Sequence, residues 1–395
     1  LTFMKLYHLF LFIIISLISG YIFSQSNINN CPTLPENNIW NTSTESLPIH
    51  SHSDDYVNSI GGNLSLRYDF GAGVWDNAPI GIPYVFVDGS QEKVKVTFEY
   101  TDESDNVLYP IPLDPPIEGG NESTGDRHIL IVDTTNCILY ELYSAYKNSD
   151  GTWRAGSGSV FDLNSNNLRT DTWTSADAAG LPILPGLVRY DEVASGSINH
   201  LIRFTVPKTQ RAYLWPARHY ASSITDENFP PMGLVMRLKK SVNIDNFTPQ
   251  AKIIATALKK YGMILADNGS AWYMSGVPDE RWDNDDLYTL RQYIKGSDFE
   301  AIDLSSLIVN VNSGEAKQNN ANYVENENEV NIYPNPTSNF FSISNYKGSI
   351  HIFNILGQLI LSEDITTNQK INISLLKEGQ YFIKTKSKYI KFIKI

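Results

Sequence analysis

Apolar residues along this chain come mostly in short runs separated by Asn, Asp, Gly and Pro, a pattern of strands and turns rather than long helices. The stretch 93–100 alternates cleanly, placing Val94, Val96, Phe98 and Tyr100 on one face of a strand. The runs 129–132 and 137–143 are continuously apolar, which predicts a hairpin across 133–136 with both faces covered. Glu141 lies inside the second run, so it is either edge-exposed or held in a site with a raised pKa. Further strands are expected at 157–163, 199–206, 211–215, 234–238 and 263–266. Helical spacing occurs twice. Thr248-Pro249 reads as an N-cap with proline at the first helical position, followed by Ile253, Ile254, Ala257, Leu258 and Tyr261 and closed by Gly262. Residues 283–295 form the second, with acids in the first turn. The sum is a mainly β fold: a central β-sandwich or jelly-roll-like domain with a few helices over 30–311, and a small C-terminal β-sandwich over 330–395.

The two ends differ from the middle. Residues 4–25 combine a positive start at Lys5, an apolar core and small residues after it, which predicts a signal peptide over 1–25. Residues 312–329 are polar, rich in Asn and Glu, and read as a linker.

After the linker, Asn331-Ile332-Tyr333-Pro334-Asn335-Pro336, the turn segment Ile352-Phe353-Asn354-Ile355-Leu356-Gly357-Gln358, and Leu375-Leu376-Lys377-Glu378-Gly379-Gln380-Tyr381 precede a Lys-rich tail. On these residues the C-terminal unit resembles the type A sorting domain of the type IX secretion system of Bacteroidota. The resemblance implies export, contact with the type IX machinery, removal of the domain, and a secreted or outer-membrane surface location. It does not say what the central domain does. That region, through phrases such as LPILPGLVRYDEV and ILADNGS, is similar to uncharacterised secreted bacterial proteins, which implies one coherent domain and no mechanism.

Charge and cysteine content narrow the chemistry. Lys and Arg number 31 against 43 Asp and Glu, a net charge of −12. No extended basic stretch appears, so nucleic acid is not an expected partner. A monomer is expected. Cys31 and Cys137 either form one disulfide, as an oxidising compartment permits, or stay as thiols. No nucleophile elbow, zinc-protease helix or phosphate-binding loop is present.

What remains is a supply of carboxylates and tryptophans, suited to a polysaccharide or glycan as partner. The stretch 180–219 is densest in proton-transferring and anion-gripping groups. Asp191 and Asp267 are the expected carboxylate pair of a glycoside hydrolase, with Glu192 as substitute and His219 as a further catalytic candidate. Arg189, Tyr190, Trp173, Arg203 and Arg218 are the expected substrate contacts. A polysaccharide lyase, with Tyr190 or His219 as base and Arg203 or Arg218 as uronate clamp, is one alternative. A non-catalytic glycan-binding or adhesion protein is the other. No cofactor is required by any of the three readings, but His50, His52 and Asp54 alternate and in an extended chain would share a face fit for a divalent metal such as calcium or zinc.

Overall fold

A computed structural model describes residues 27–317 and, apart from 334, 344–347, 356–357, 366–368 and 386–388, residues 332–395. The predicted leader lies outside the described residues, as does all of the linker beyond 317. Two units separate, Leu1–Gln318 and Asn319–Ile395.

The first unit is built on a six-stranded sheet in the order Phe299–Ile302, Val235–Leu238, Met263–Asn268, Ile202–Val206, Tyr273–Ser275, Arg67–Asp69. Ile202–Val206 and Val235–Leu238 are buried at every position, because both sheet faces are covered. The helix Pro249–Lys260 packs on Val235–Leu238, and the helix Ser53–Ile60 packs on Phe299–Ile302. Pro249–Lys260 buries Ala251, Ile254, Ala255 and Leu258 on one stripe. Gly262 ends it at φ +86°, where a Cβ would meet the Met236 carbonyl oxygen at 2.7 Å. In the helix Asn284–Tyr293, Asp283 accepts from the Asp285 and Asp286 amides as its N-cap. Asp286 in turn accepts from the Gln250 and Ala251 amides, so one helix's acid caps its neighbour.

The second sheet runs Ser157–Asp162, Ile138–Tyr143, Ile129–Asp133, Tyr84–Val87. Its central hairpin explains the unbroken apolar runs. Ile129, Ile131, Tyr140 and Leu142 enter one core, together with Val96, Tyr109 and Trp153 from a third sheet. Leu130, Val132 and Leu139 point the other way, into the core of the six-stranded sheet. The fold is mainly β, as the pattern predicts. Its sheets are mixed: Ile202–Val206 runs parallel to Met263–Asn268, and Tyr84–Val87 parallel to Ile129–Asp133. The 211–215 stretch forms no strand and only an isolated bridge from Tyr213 to Met232.

Cys31 and Cys137 are joined, tying the N-terminal segment to the hairpin across 106 residues. Closing so long a loop restricts the unfolded chain. Replacing both cysteines with serine is expected to destabilise the protein by about 2–4 kcal/mol, measured as a lower urea midpoint without a change of slope.

Residues 313–317, the front of the expected linker, are packed onto this unit. Asn38 bridges Glu315, Asn167 bridges Ser313, and Ile308 bridges Ala316. In the second unit a three-stranded sheet (Ile332–Tyr333, Phe340–Ile343, Lys370–Asn372) accompanies a four-stranded one (Leu359–Ile365, Gly348–Asn354, Gly379–Lys384, Tyr389–Lys394). Phe341, Ile343, Ile350, Ile352, Ile383 and Phe392 form its core.

Candidate functional site

One loop, residues 174–178, is anchored from several sides. Arg169 anchors it by donating to the Thr174 carbonyl at 2.6 Å. His128 Nε2 donates to the Ala176 carbonyl at 3.1 Å, and His219 Nδ1 donates to the Ala178 carbonyl at 2.8 Å. Between them, Asp177 takes a bidentate pair from Arg203 at 2.6 and 2.7 Å. Ser157 donates to the Ser175 carbonyl and Ser175 to the Leu181 carbonyl, both at 2.6 Å. Gly180, at φ +70°, closes the loop where a Cβ would lie 2.5 Å from the Trp173 carbonyl oxygen. So dense a set of anchors fixes residues 174–178 as one wall of a cavity of about 480 Å³. Glu103, Asp126, His219 and Asp267 also line it, with Tyr100 and Tyr143 supplying aromatic surface.

Asp267 reaches the cavity because of a bulge. The parallel register sets Phe204 opposite Leu265 but Thr205 opposite Asp267, so Ala266 is an extra residue. Without it Asp267 would fall on the far face from Arg203; with it the two share a face. Arg203 Nη2 then lies 3.7 Å from Asp267, while the same guanidinium pairs with Asp177 and donates to Ser275 Oγ at 2.6 Å. Asp177 is wholly buried, and the Asp267 side chain is 25% exposed. Burial, then the neighbouring Asp177 charge, push the Asp267 carboxyl up to about 7, with Arg203 opposing. Asp177 neutralises most of Arg203, so Asp267 loses its proton only around neutrality instead of in acid.

His219 and Glu103 face the same space. A carbonyl only accepts, so the hydrogen on His219 sits at Nδ1. In the neutral imidazole this leaves Nε2 as an acceptor, 3.8 Å from a Glu103 carboxylate oxygen. Glu103 accepts from the Thr174 amide at 3.0 Å, which orients it.

Behind the wall, His128 Nδ1 pairs with Glu118 at 2.5 Å. Burial opposes the charge on this imidazole, but the Glu118 carboxylate overrides it and pushes the pKa up to about 9. The pair's stabilisation is therefore fully present below the ordinary value of 6.5 and is lost as pH rises through about 9. Thermal unfolding of the wild type should show a fall in Tm between about pH 7 and 9 that His128→Gln lacks. Glu118, Asp126 and His128 present ligand atoms within 4.8 Å of one another, the one such group among the described residues. With both imidazole nitrogens donating, to Glu118 and to Ala176, His128 has no lone pair for a metal. Glu141 is buried and accepts from the Ile183 and Leu184 amides, its pKa pushed up to about 7 by burial against those bonds.

The sequence candidates divide. Asp267 and His219 line the cavity. Asp191 does not, and the expected pairing with Asp267 is not formed. The chain, whose sequence allows a strand or a short helix here, enters a short helix, Tyr190–Ser195. Residues three apart on a helix share a face, so Glu192 is buried against Arg189 and, at 3.1 Å, His200. Asp191 turns to solvent, 73% exposed, and pairs with Arg281 at 2.8 Å. Arg281 also stacks on Tyr190, 4.4 Å from the ring centre. Arg203 lies buried behind the cavity. Arg218 donates to the Arg169 and Val311 carbonyls and pairs with Asp171 at 3.2 Å, so neither arginine is free to clamp a substrate. Trp173 lies over Arg169, 5.7 Å from ring centre to guanidinium. His50, His52 and Asp54 do not converge as metal ligands. The chain turns into the helix Ser53–Ile60 there, putting Asp54 in its first turn, and His52 pairs instead with Asp55 at 3.1 Å. No sequence spacing marks Glu103, Asp126 or Asp177; the one signal is Asp177 near Trp173 in a polar loop.

Residues 331–394 match the family model of the secretion system C-terminal sorting domain. The second unit is therefore a type IX sorting domain, and the protein is secreted and directed to the cell surface or outer membrane through the type IX machinery. No curated protein matches the chain. A solved structure of PorZ, described as an essential bacterial surface component of the type IX secretion system of Porphyromonas gingivalis, is 17% identical over 26% of this chain and 14% of that one, with a TM-score of 0.17. So slight a likeness bears on neither fold nor function.

Proposed function

We propose that residues 27–317 form a secreted polysaccharide-active hydrolase in which Asp267 is the proton donor. The feature that carries this reading is a carboxyl that burial raises to about 7, lining a cavity with further acidic residues in its walls. Glycosidic hydrolysis needs that division: one carboxyl keeping its proton near neutrality, and one ionised to act on water or on the sugar. Asp267 gives its proton to the glycosidic oxygen as the bond to the anomeric carbon breaks. Glu103, held by the Thr174 amide, takes a proton from the water that attacks that carbon. His219 Nε2, beside Glu103, orients the water. Asp177 and Arg203 set the proton affinity of Asp267 without touching substrate. A lyase acting on uronates finds no support here, since Arg203 and Arg218 are committed to internal partners.

The test is a screen of the full chain against plant, algal and microbial polysaccharides, following reducing ends and unsaturated-uronate absorbance together. Hydrolysis raises the first alone, and Glu103→Gln is expected to remove it. Absorbance rising with reducing ends, or saccharide binding with no product, would overturn the reading.

A further inference from the structure

The cavity's charge is one-sided. Four acidic residues, Glu103, Asp126, Asp177 and Asp267, are in its lining, and no lysine or arginine is; the Asp177 side chain is wholly buried on Arg203, and burial raises Asp267 to about 7. The arginines packed around it are turned to other partners; Arg127 donates to the Gly120, Asn121, Ser123 and Ala145 carbonyls. Arg203 is paired with Asp177, and Arg169 with Asp105 at 2.5 Å. Arg218 is turned to Asp171 and backbone carbonyls. With Asp177 neutralised by Arg203, the Glu103 and Asp126 carboxylates remain facing the space. Among the described residues no lysine or arginine lies within ion-pair distance of either carboxylate; Glu103 has His219 at 3.8 Å, and Asp126 lies within 4.8 Å of His128, whose imidazole is already paired with Glu118. A polymer of uronates or sulfated sugars would bring anions against them.

A second, independent feature points the same way. Tyr100, 49% exposed, and Tyr143 line the same cavity. Carboxylates and π faces together are what a desolvated ammonium group prefers. From this, and resting on the hydrolase reading above, we infer that the site takes polymers of amino sugars bearing free amines, with Asp126 receiving the ammonium group. Asp126 suits this role because it is exposed in the wall and is not needed for either proton transfer.

Binding is measured by calorimetry on the full chain carrying Asp267→Asn, so that ligand is not consumed. The probes are the hexamers of glucosamine, N-acetylglucosamine, glucose and galacturonic acid. The glucosamine hexamer is expected to bind about tenfold or more tighter than the neutral two, with the advantage shrinking as salt rises. Adding Asp126→Asn should remove most of that advantage and leave the neutral hexamers unchanged. Equal affinity for neutral and amino hexamers overturns the amine assignment while the hydrolase reading stands. Binding of no hexamer, together with no hydrolysis of any polymer by the wild type, overturns both. A requirement for calcium, abolished by a chelator, would give the carboxylates to a metal and overturn the amine assignment alone.

Discussion

Asp267→Asn lowers the turnover of the polysaccharide that the full chain cleaves by about 10²–10⁴-fold, the contribution a positioned general acid makes. Asparagine has the same shape and can still accept from the Asn268 amide, a bond of 2.7 Å in the wild type, so the backbone of the bulge is kept. What is lost is the proton. The same substitution should stabilise the protein, and the sign follows from linkage. The folded pKa of about 7 stands above the ordinary 3.8, so the carboxyl's contribution is fully present below 3.8 and is lost as pH rises through about 7. Asparagine never ionises. Its Tm should match the wild type's in acid and exceed it above about pH 7, by an amount equivalent to at most a few kcal/mol. Activity lost and stability gained together mark a residue kept for chemistry. A substitution that lowers both would mark a structural one.

Arg203→Met is expected to destabilise the protein by about 3–5 kcal/mol, because it leaves the fully buried Asp177 charge without its partner. For a unit of this size the fall in Tm is roughly 6–20 °C. Adding Asp177→Asn to Arg203→Met removes the stranded charge and should recover a large part of that loss, a coupling read directly from the double-mutant cycle. The single variant has a second signature. With the guanidinium gone, the positive charge that opposes the rise at Asp267 is lost, so Asp267 should hold its proton to higher pH, and the alkaline limb of the activity profile should move up. A merely structural Arg203 would change Tm and leave that limb in place.

Local patterns in the sequence predict much of this fold. The two clearest helices are written in their caps, Thr248-Pro249 and Asp283, and in one apolar stripe each. The hairpin Ile129–Tyr143 region is legible as doubly covered because its apolar runs lack alternation, and two separate cores account for that. Asp267 is legible as a carboxylate at a strand end. Its orientation is not, since that depends on one extra residue in a pairing with Ile202–Val206. The pairing of Asp191 with Asp267 fails on a local ambiguity. Residues 187–190 suit a strand or a short helix equally, and the helix sends Asp191 to solvent and buries Glu192. The partners that matter most lie far apart in the chain. Arg203 and Asp177 are 26 residues apart, and Glu103 meets the Thr174 amide across 71. Only the closing of loops around two sheets joins them, and no single-sequence periodicity carries that information.

The central claim is that a carboxyl at position 267 donates the catalytic proton. It is tested most directly by the pH dependence of reducing-end release, measured on the full chain with a polysaccharide that it cleaves. The account predicts activity that falls as pH rises through about 7, when Asp267 loses its proton, and that is absent across the whole range in Asp267→Asn. A wild-type profile that stays flat well above that value, or an Asp267→Asn profile that follows the wild type's, would contradict it.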